Sequence, residues 1–408
     1  MIIKNKRIAI ISMGIMAIAF TLFYFSDGMG KYLLKEEAGF FRYSAIIKAI
    51  FEILILGYAV LTLRKAKFSI LIVLFILLVS FLIGQFFLSL NFSEINFFEN
   101  FNTLFKYFFP FIFFLLALDI LQSKSYPFLL LKVYKFIMTL NGIFIITGLI
   151  LGIEVFKTYP GPWRFGYDGL IFAQNEASFI FIFALTIVYY RRYYLNIKEF
   201  FFWFILFTSL VVATKAVFLY FIFLLFFHIF KKVSFKNILT FGVSSIVIGY
   251  FLFSTLINKI ILNSYNTFMY MYYKEGLTFA LFSGRNVYIQ DKLYPLIFEY
   301  WSIPNYIFGG QDVVAHYIEM GFLDLLLFFG IAGSIIYLYV FYRIFRLLPF
   351  EKYFKLFFGI VFFLIVATAG HFFESGIAGI HFMMMLLLLS KYGDKLELNL
   401  ENHEFERR

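Results

Sequence analysis

Long apolar stretches, many of them rich in phenylalanine, run through this chain of 408 residues and are separated by short polar segments. Stretches such as 68–90 and 241–256 are about as long as the roughly 20 residues that a helix needs to cross a hydrocarbon core about 30 Å thick. A membrane barrel would instead show segments of about 10 residues with alternating polar and apolar positions. Because backbone polar groups in lipid must be satisfied within the chain, the pattern predicts a bundle of membrane-spanning helices.

Composition supports this class and excludes others. Hydrophobic residues make up 62% of the chain and charged residues 14%, and the mean hydropathy is +0.88, so a soluble domain would expose too much apolar surface. The net charge of +11 does not indicate a nucleic-acid partner, because the basic residues are dispersed in short loops, where membrane topology explains them. The absence of cysteine excludes disulfides and thiolate metal ligands. We therefore expect an all-α polytopic integral membrane protein surrounded by membrane lipids.

About twelve helices are predicted to span the membrane, and the charges of the loops between them support this assignment. Every second loop is basic, as at Arg64-Lys65, whereas the intervening loops are mixed or acidic, as at Lys35-Glu36-Glu37. Since cytoplasmic loops carry the excess of Lys and Arg, both termini are predicted to be cytoplasmic. The spans are placed at 8–25, 43–63, 68–90, 101–121, 131–151, 170–190, 199–213, 216–230, 238–256, 320–342, 353–369 and 376–391.

The break between the seventh and eighth spans depends on four residues, Ala213-Thr214-Lys215-Ala216. A single span here would move all later loops to the other side and destroy the basic pattern, so we expect two spans that meet at a tight outer turn. No linker rich in Pro, Gly or Ser divides the chain. The predicted organisation is one membrane domain, 1–391, with a large outer loop at 257–319, followed by a cytoplasmic tail at 392–408.

The outer loop 257–319 is long enough to suggest a function rather than a plain connection. Its Tyr and Trp residues suit the stacking faces of sugars, although an interfacial aromatic belt would have the same composition. Ser283-Gly284-Arg285 places a guanidinium beside a glycine, which suits bidentate capture of phosphate. His316 lies just before the tenth span, where it could act as a general base near neutral pH.

Further cations lie near the outer ends of the spans, where charge is costly unless it meets an anion, water or a carboxylate. Lys48 has Glu52 four residues further on, so we expect an ion pair on that helix. Lys106 lies within the outer part of the fourth span, where it either snorkels outward or binds phosphate. Lys215 and Arg285 have no neighbouring acid in the sequence, and a lipid diphosphate would supply the missing negative charge.

The order of these elements resembles the O-antigen polymerase and ligase superfamily. In both, a basic turn between two late spans precedes a large outer loop with Gly-Arg, then a histidine, then a span with Gly-x-x-Gly. Here they read Ala213-Thr214-Lys215, Ser283-Gly284-Arg285, Ala315-His316 and Phe329-Gly330-Ile331-Ala332-Gly333. The stretch Ala173-Gln174-Asn175-Glu176-Ala177-Ser178 also looks like the polar Asn-x-x-Ala stretch of that superfamily.

The resemblance implies a GT-C-like helical fold and glycosyl transfer that needs no metal or other cofactor. It implies that undecaprenyl-diphosphate-linked oligosaccharide repeat units are polymerised into O-antigen or a related surface polysaccharide, at the periplasmic face of the bacterial inner membrane. A polysaccharide chain-length regulator is then a candidate partner. The paired basic residues of the family correspond to Lys215 and Arg285, and its loop histidine to His316. Lys215 is a departure, because that position is often Arg in the ligases.

The chemistry assigns roles to these residues. A glycosyl diphosphate carries its own leaving group, so the enzyme has to neutralise the diphosphate and position an acceptor hydroxyl. We expect Lys215, Arg285 and Lys106 to bind diphosphate, with Arg285 and His316 as catalytic residues and His316 as the base. Residues expected to support or replace the base are Asn175, Glu176, Asp312, Glu319, Asp324, His371 and Glu374.

Two alternatives remain open at this stage. An O-antigen ligase, which transfers finished glycan to lipid A-core, would share the same sites. A polysaccharide flippase or transporter would be expected to show charged or broken helices at the bilayer midplane. The chemically useful residues collect instead at one face, which favours the enzyme.

Overall fold

The computed structural model describes residues 2–35, 43–123, 127–159, 164–232, 262, 265–368 and 370–405. Throughout these ranges the regular structure is helical, apart from one isolated β-bridge between Lys157 and Tyr167. The helices are α1 (Ile2–Lys35), α2 (Tyr43–Leu61), α3 (Lys65–Ser89), α4 (Phe97–Leu121), α5 (Phe128–Leu151), α6 (Gln174–Tyr193), α7 (Phe200–Val212), α8 (Lys215–Lys232), α9 (265–282), α10 (Arg285–Tyr288), α11 (Ile303–Phe308), α12 (Gly321–Arg346), α13 (Lys352–Thr368) and α14 (Gly376–Phe405).

Six of the described helices are long and apolar enough to cross a membrane: α1, α2, α3, α4, α5 and α12. The expectation of an all-α membrane protein is thereby confirmed. Helices α7 and the first half of α14 are apolar but shorter. Eleven of the predicted spans coincide with helices, whereas the span at 238–256 lies outside the described residues, so the total of twelve stays a prediction.

One predicted break is confirmed, and the structure differs from the sequence prediction in two other places. The break before Lys215 is confirmed, because α7 ends at Val212, its C-cap residue Ala213 is left-handed with a φ of 55°, and α8 begins at Lys215. The final helix continues to Phe405 instead of ending near residue 391. The described part of the outer loop is itself helical: it holds α9 to α11 and two π-helical turns, Ile289–Leu293 and Leu296–Tyr300.

Helix α4 lies in the centre of the bundle, and most of its side chains are buried. The first half of α14 packs along it, because two glycines of α14 permit a close approach. A Cβ atom at Gly376 would lie 3.1 Å from the ring of Phe109, and one at Gly379 would lie 3.0 Å from Pro110. Small residues at such contacts are the usual means by which membrane helices pack closely.

The outer loop is fixed to the bundle by a contact among three glycines on separate elements. Gly84 of α3 and Gly330 of α12 both touch the backbone around Gly309, which follows α11. Gly330 interrupts the helical dihedral angles of α12 with a φ of 66° and a ψ of −172°. Asn305 adds hydrogen bonds to the carbonyl oxygens of Gly84 and Gly309. The first glycine of the Gly-x-x-Gly motif therefore has a packing role, which positions residues 309–319.

The two ends of the helix bundle differ in structure. At one end, which we call the cleft end, helices α2, α4, α6, α8, α12 and α14 begin, and the loop 309–319 covers part of it. At the opposite end Lys67 and Asp119 form an ion pair of 2.7 Å in which each side chain is 1% exposed, and Ser12 donates a hydrogen bond to the same carboxylate. This buried pair joins α1, α3 and α4.

Candidate functional site

A cleft of about 760 Å³ opens at the cleft end of the bundle. Its walls are the last turns of α1, the first halves of α2 and α4, the start of α6, and the loops 313–317 and 371–376. The volume lies within the usual range for pockets that bind small molecules. The charged and polar side chains that line it are Asp27, Ser44, Lys48, Glu52, Asn96, Glu99, Asn102, Thr103, Lys106, Glu176, Tyr317, His371, Glu374 and Ser375.

Lys48 forms a different ion pair from the one predicted from the sequence. Its Nζ atom lies 2.8 and 2.9 Å from the two carboxylate oxygens of Asp27 on α1, and Ser44 donates a hydrogen bond to the same carboxylate. The expected pair between Lys48 and Glu52 is therefore wrong. The i,i+4 spacing places both on one helix, but the carboxylate of the neighbouring helix provides the closer partner.

Lys106 is the second cation of the cleft. It lies in the third turn of α4, with an exposed side chain in the cleft wall. No carboxylate of the described residues lies within ion-pair distance of its ammonium group. Its charge nevertheless acts on the pKa values of His371 and Glu374, so these three groups are close in space.

His371 and Glu374 of the loop before α14 form a polar cluster with Tyr317 of the loop 309–319. The His371 Nδ1 atom lies 2.8 Å from the Tyr317 hydroxyl and 3.2 Å from Glu374 Oε1. Burial, together with the positive charges of Arg285 and Lys106, lowers the pKa of His371 to about 4, so the ring is neutral at pH 7. Burial raises the pKa of Glu374 to about 7, although Lys106 opposes this shift. Glu374 therefore exchanges a proton near neutral pH.

Arg285 lies beside the cleft and faces the same loop. Its Nη2 atom donates a hydrogen bond of 3.2 Å to Glu319, and the backbone of Glu319 packs directly on Gly370, the residue before His371. The turn that carries Arg285 has positive φ angles at Ser283 (56°) and Gly284 (85°). The Arg285 side chain is 12% exposed, and its buried Nε atom has no hydrogen-bond partner among the described residues.

Three basic side chains form what we call the cation group: Arg164, Lys215 and Arg285. Lys215 donates hydrogen bonds to the Ala280 carbonyl at 3.0 Å and to the Ser283 hydroxyl at 2.9 Å. It precedes the predicted span 216–230, and burial together with the charges of Arg164 and Arg285 lowers its pKa to about 8. The described residues supply one ion-pair partner to this group, Glu319. Like charges held this close favour an anion between them.

The remaining predicted residues lie in other surroundings. The His316 side chain is 6% exposed, with its ring 5.0 Å from that of Phe92 and 5.9 Å from that of Tyr300. It is not part of the cleft wall, and its Nδ1 atom has no hydrogen-bond partner among the described residues. Burial lowers its pKa despite the nearby Asp312. A direct role in the cleft would require that this aromatic pocket open.

Two of the proposed alternative bases hold the outer loop in shape. Asp312 accepts hydrogen bonds from the backbone N–H groups of Val314, Ala315 and Asn96. Asp324 accepts hydrogen bonds from the backbone N–H groups of Ile318 and Met320 and from the Gln311 side chain. Carboxylates that accept several backbone hydrogen bonds in this way stabilise a loop.

Glu176 and Asn175 lie in the first turn of α6. Glu176 accepts a hydrogen bond of 2.7 Å from the Ser375 hydroxyl, and that same hydroxyl caps α14 by accepting from the Ala378 N–H at 3.1 Å. Asn175 is half-buried. The sequence stretch singled out at 173–178 thus meets the loop before α14, which brings Glu176 to the cleft wall beside Glu374.

The structure therefore brings together most of the predicted site residues, in two adjoining regions. Lys215, Arg285 and Glu319 belong to the cation group and its partner, while Lys106, Glu176, His371 and Glu374 line the cleft. Arg164 was missed from the sequence, where the signal was only its place in an outer loop. Comparison with protein-family models, with curated proteins and with solved structures found no match.

Proposed function

We propose that this protein is a membrane glycosyltransferase that polymerises lipid-linked oligosaccharide repeat units at the periplasmic face of the inner membrane. The observation that carries the proposal is the cation group beside the cleft. Three basic side chains from separate segments converge there, and Glu319 is the one carboxylate paired with them in the described part of the chain. An undecaprenyl diphosphate carries two phosphate groups and would supply the missing negative charge.

The reaction follows from this arrangement. An acceptor hydroxyl attacks the anomeric carbon of the donor sugar, the bond from that carbon to the phosphate oxygen breaks, and the diphosphate leaves with the bonding electron pair. The hydroxyl proton passes to a base. Fixed cations that meet the leaving diphosphate lower the barrier, because the charge develops where the positive groups already lie. Arg285 suits this task, since its guanidinium is held by Glu319 and retains an unpartnered Nε donor.

The test is transfer by the purified protein reconstituted in liposomes with a defined undecaprenyl-diphosphate-linked repeat unit. Elongated glycan that stays on the lipid carrier supports the polymerase. Transfer to added lipid A-core, without elongation of the lipid-linked unit, supports the ligase instead. If neither product forms and the labelled lipid only crosses the bilayer, the protein is a transporter.

Variants of Arg285 connect the activity to the site. We expect Arg285→Ala to lower kcat by about 10²–10³, the range observed for removal of one charge-stabilising donor. Arg343→Ala is the matched control, because Arg343 lies near the opposite end of α12, where its guanidinium carbon is 5.9 Å from the Tyr339 ring. Equal activity of both variants would refute the assignment of Arg285.

A further inference from the structure

Diphosphate binding by the cation group does not explain which ligand the neighbouring cleft binds. The cleft has a polar wall of carboxylates, amides and hydroxyls, together with the aromatic side chains Phe105, Phe109 and Phe172. Carboxylate and amide groups that bind hydroxyls, combined with rings that cover apolar faces, are what a sugar requires of a binding site. A diphosphate would meet unfavourable negative charge in the same place.

We infer that the cleft binds the acceptor glycan and that Glu374 is the catalytic base that removes the proton from the acceptor hydroxyl. The inference rests on the proposed function and identifies the second subsite of the same reaction. The acceptor O–H proton passes to the Glu374 carboxylate while the oxygen bonds to the anomeric carbon. The donor diphosphate leaves toward the cation group with the electron pair of the broken bond.

The position of Glu374 supports this role. Its side chain is 11% exposed and lies in the cleft wall. Its neighbour Glu176 is already hydrogen-bonded to the cap of α14, whereas Glu374 has no such structural task in the described residues. Arg285 and Lys106 both act on the charge of His371, the direct neighbour of Glu374. The base thus lies in the cleft wall, and its neighbour His371 lies close to Arg285 of the cation group.

The charged groups around Glu374 set its proton affinity. Lys106 of α4 favours the carboxylate, Glu176 of α6 opposes it, and the neutral His371 contacts it without adding charge. The resulting pKa of about 7 is suitable for a general base at neutral pH. The buried Tyr107 of α4 also lies near Glu374.

His371 is a positioning residue in this scheme. Its Nδ1 atom contacts both Glu374 Oε1 and the Tyr317 hydroxyl, so it joins the loop 313–317 to the base. His371 also has a φ of 76°, a conformation that asparagine tolerates better than alanine. We therefore expect His371→Asn, which keeps a polar atom near the Nδ1 position, to retain most activity, whereas His371→Ala shifts the pH profile of kcat.

The experiment uses the reconstituted full chain, a defined lipid-linked repeat unit and a separate measurement of undecaprenyl diphosphate binding. Glu374→Gln should lower kcat by about 10²–10⁴, the usual contribution of a general base, and leave undecaprenyl diphosphate binding unchanged. Formate should partly restore activity to Glu374→Ala, because it supplies a small carboxylate in the vacated space. Glu154→Gln is the control, because the Glu154 side chain is 64% exposed and lies outside the cleft wall.

The outcomes separate the inference from the proposed function. If the wild-type protein transfers sugar and the Glu374→Gln variant is equally active, the inference about Glu374 is wrong. The proposed function is unaffected by that result. Loss of undecaprenyl diphosphate binding in Glu374→Gln also overturns it, since Glu374 would then support the fold. A wild-type protein that transfers no sugar refutes the proposed function itself.

Discussion

Replacement of Gly330 by alanine tests the contact that fixes the outer loop to the bundle. Gly330 has a φ of 66° and a ψ of −172°, a backbone region that is essentially restricted to glycine. A Cβ atom would lie 2.3 Å from the backbone nitrogen of Gly309 and 2.4 Å from the carbonyl oxygen of Ile307. Both are main-chain atoms, so no side-chain rotation can relieve the overlap.

The expected loss of stability has two parts. The unfavourable backbone conformation costs about 1–3 kcal/mol for a residue other than glycine, and forced overpacking costs about 1–3 kcal/mol. We therefore expect Gly330→Ala to lower the free energy of unfolding by roughly 2–6 kcal/mol. Gly57→Ala in α2 is the matched control: its Cβ would meet no atom within 4 Å, so the higher helix propensity of alanine should raise stability by about 0.5–1 kcal/mol.

The assay is thermal unfolding in detergent, followed by circular dichroism and by tryptophan fluorescence. Trp301 gives a local signal, since its indole N–H donates a hydrogen bond of 2.8 Å to the carbonyl of Gly310, next to the glycine contact. Gly330→Ala should lower the melting temperature and change the fluorescence before global unfolding. Gly57→Ala should not lower the melting temperature and should not change the fluorescence before global unfolding. A Gly330→Ala protein that melts with or above the wild type would refute the assigned role of this contact.

Two further predictions concern charged residues. Lys67→Met should destabilise the protein by about 3–5 kcal/mol, because it leaves the buried Asp119 without its partner. The double variant Lys67→Met/Asp119→Leu should recover most of that loss in the same melting assay, and a double variant as unstable as the single one would contradict the argument. Lys215 has a lowered pKa of about 8, so it loses its charge as the pH rises through that value, and KM for the lipid-linked donor should rise above pH 8. Lys215→Arg should keep donor affinity to higher pH, because arginine stays protonated; identical pH profiles for both proteins would contradict this role.

Much of the helical architecture was accessible from the sequence, since apolar length and the charge of alternate loops are local signals. The break before Lys215 was predicted because a single span would have reversed all later loops, and the structure has two helices there. The continuation of α14 to Phe405 was missed, since a polar segment after a span carries no signal of where its helix ends. The contact between Gly309 and Gly330 was also inaccessible, because the two positions are brought together only by the tertiary fold.

The sequence indicated most residues of the candidate site but not how these residues are arranged. Motif order selected Lys215, Arg285 and His316, and the polar turn 370–376 separately suggested His371 and Glu374; all but His316 lie in adjoining regions. The helical spacing of Lys48 and Glu52 gave the wrong ion pair, because the pattern contains no information on Asp27 of the neighbouring helix. The position of His316 in the loop likewise did not predict that its ring packs between those of Phe92 and Tyr300.

The cations of the cleft end differ in whether they already have a partner, and this difference supports the proposed binding surfaces. Lys31 and Lys48 form ion pairs with Asp168 and Asp27, so their charges are neutralised within the fold. Lys106 and Lys215 have no carboxylate within ion-pair distance in the described residues. A cation at membrane depth that lacks a counter-ion is costly to keep, which favours an anionic ligand as its partner. The unpaired lysines border two adjoining surfaces, and this is the arrangement that a transfer between an anionic donor and a hydroxyl acceptor requires.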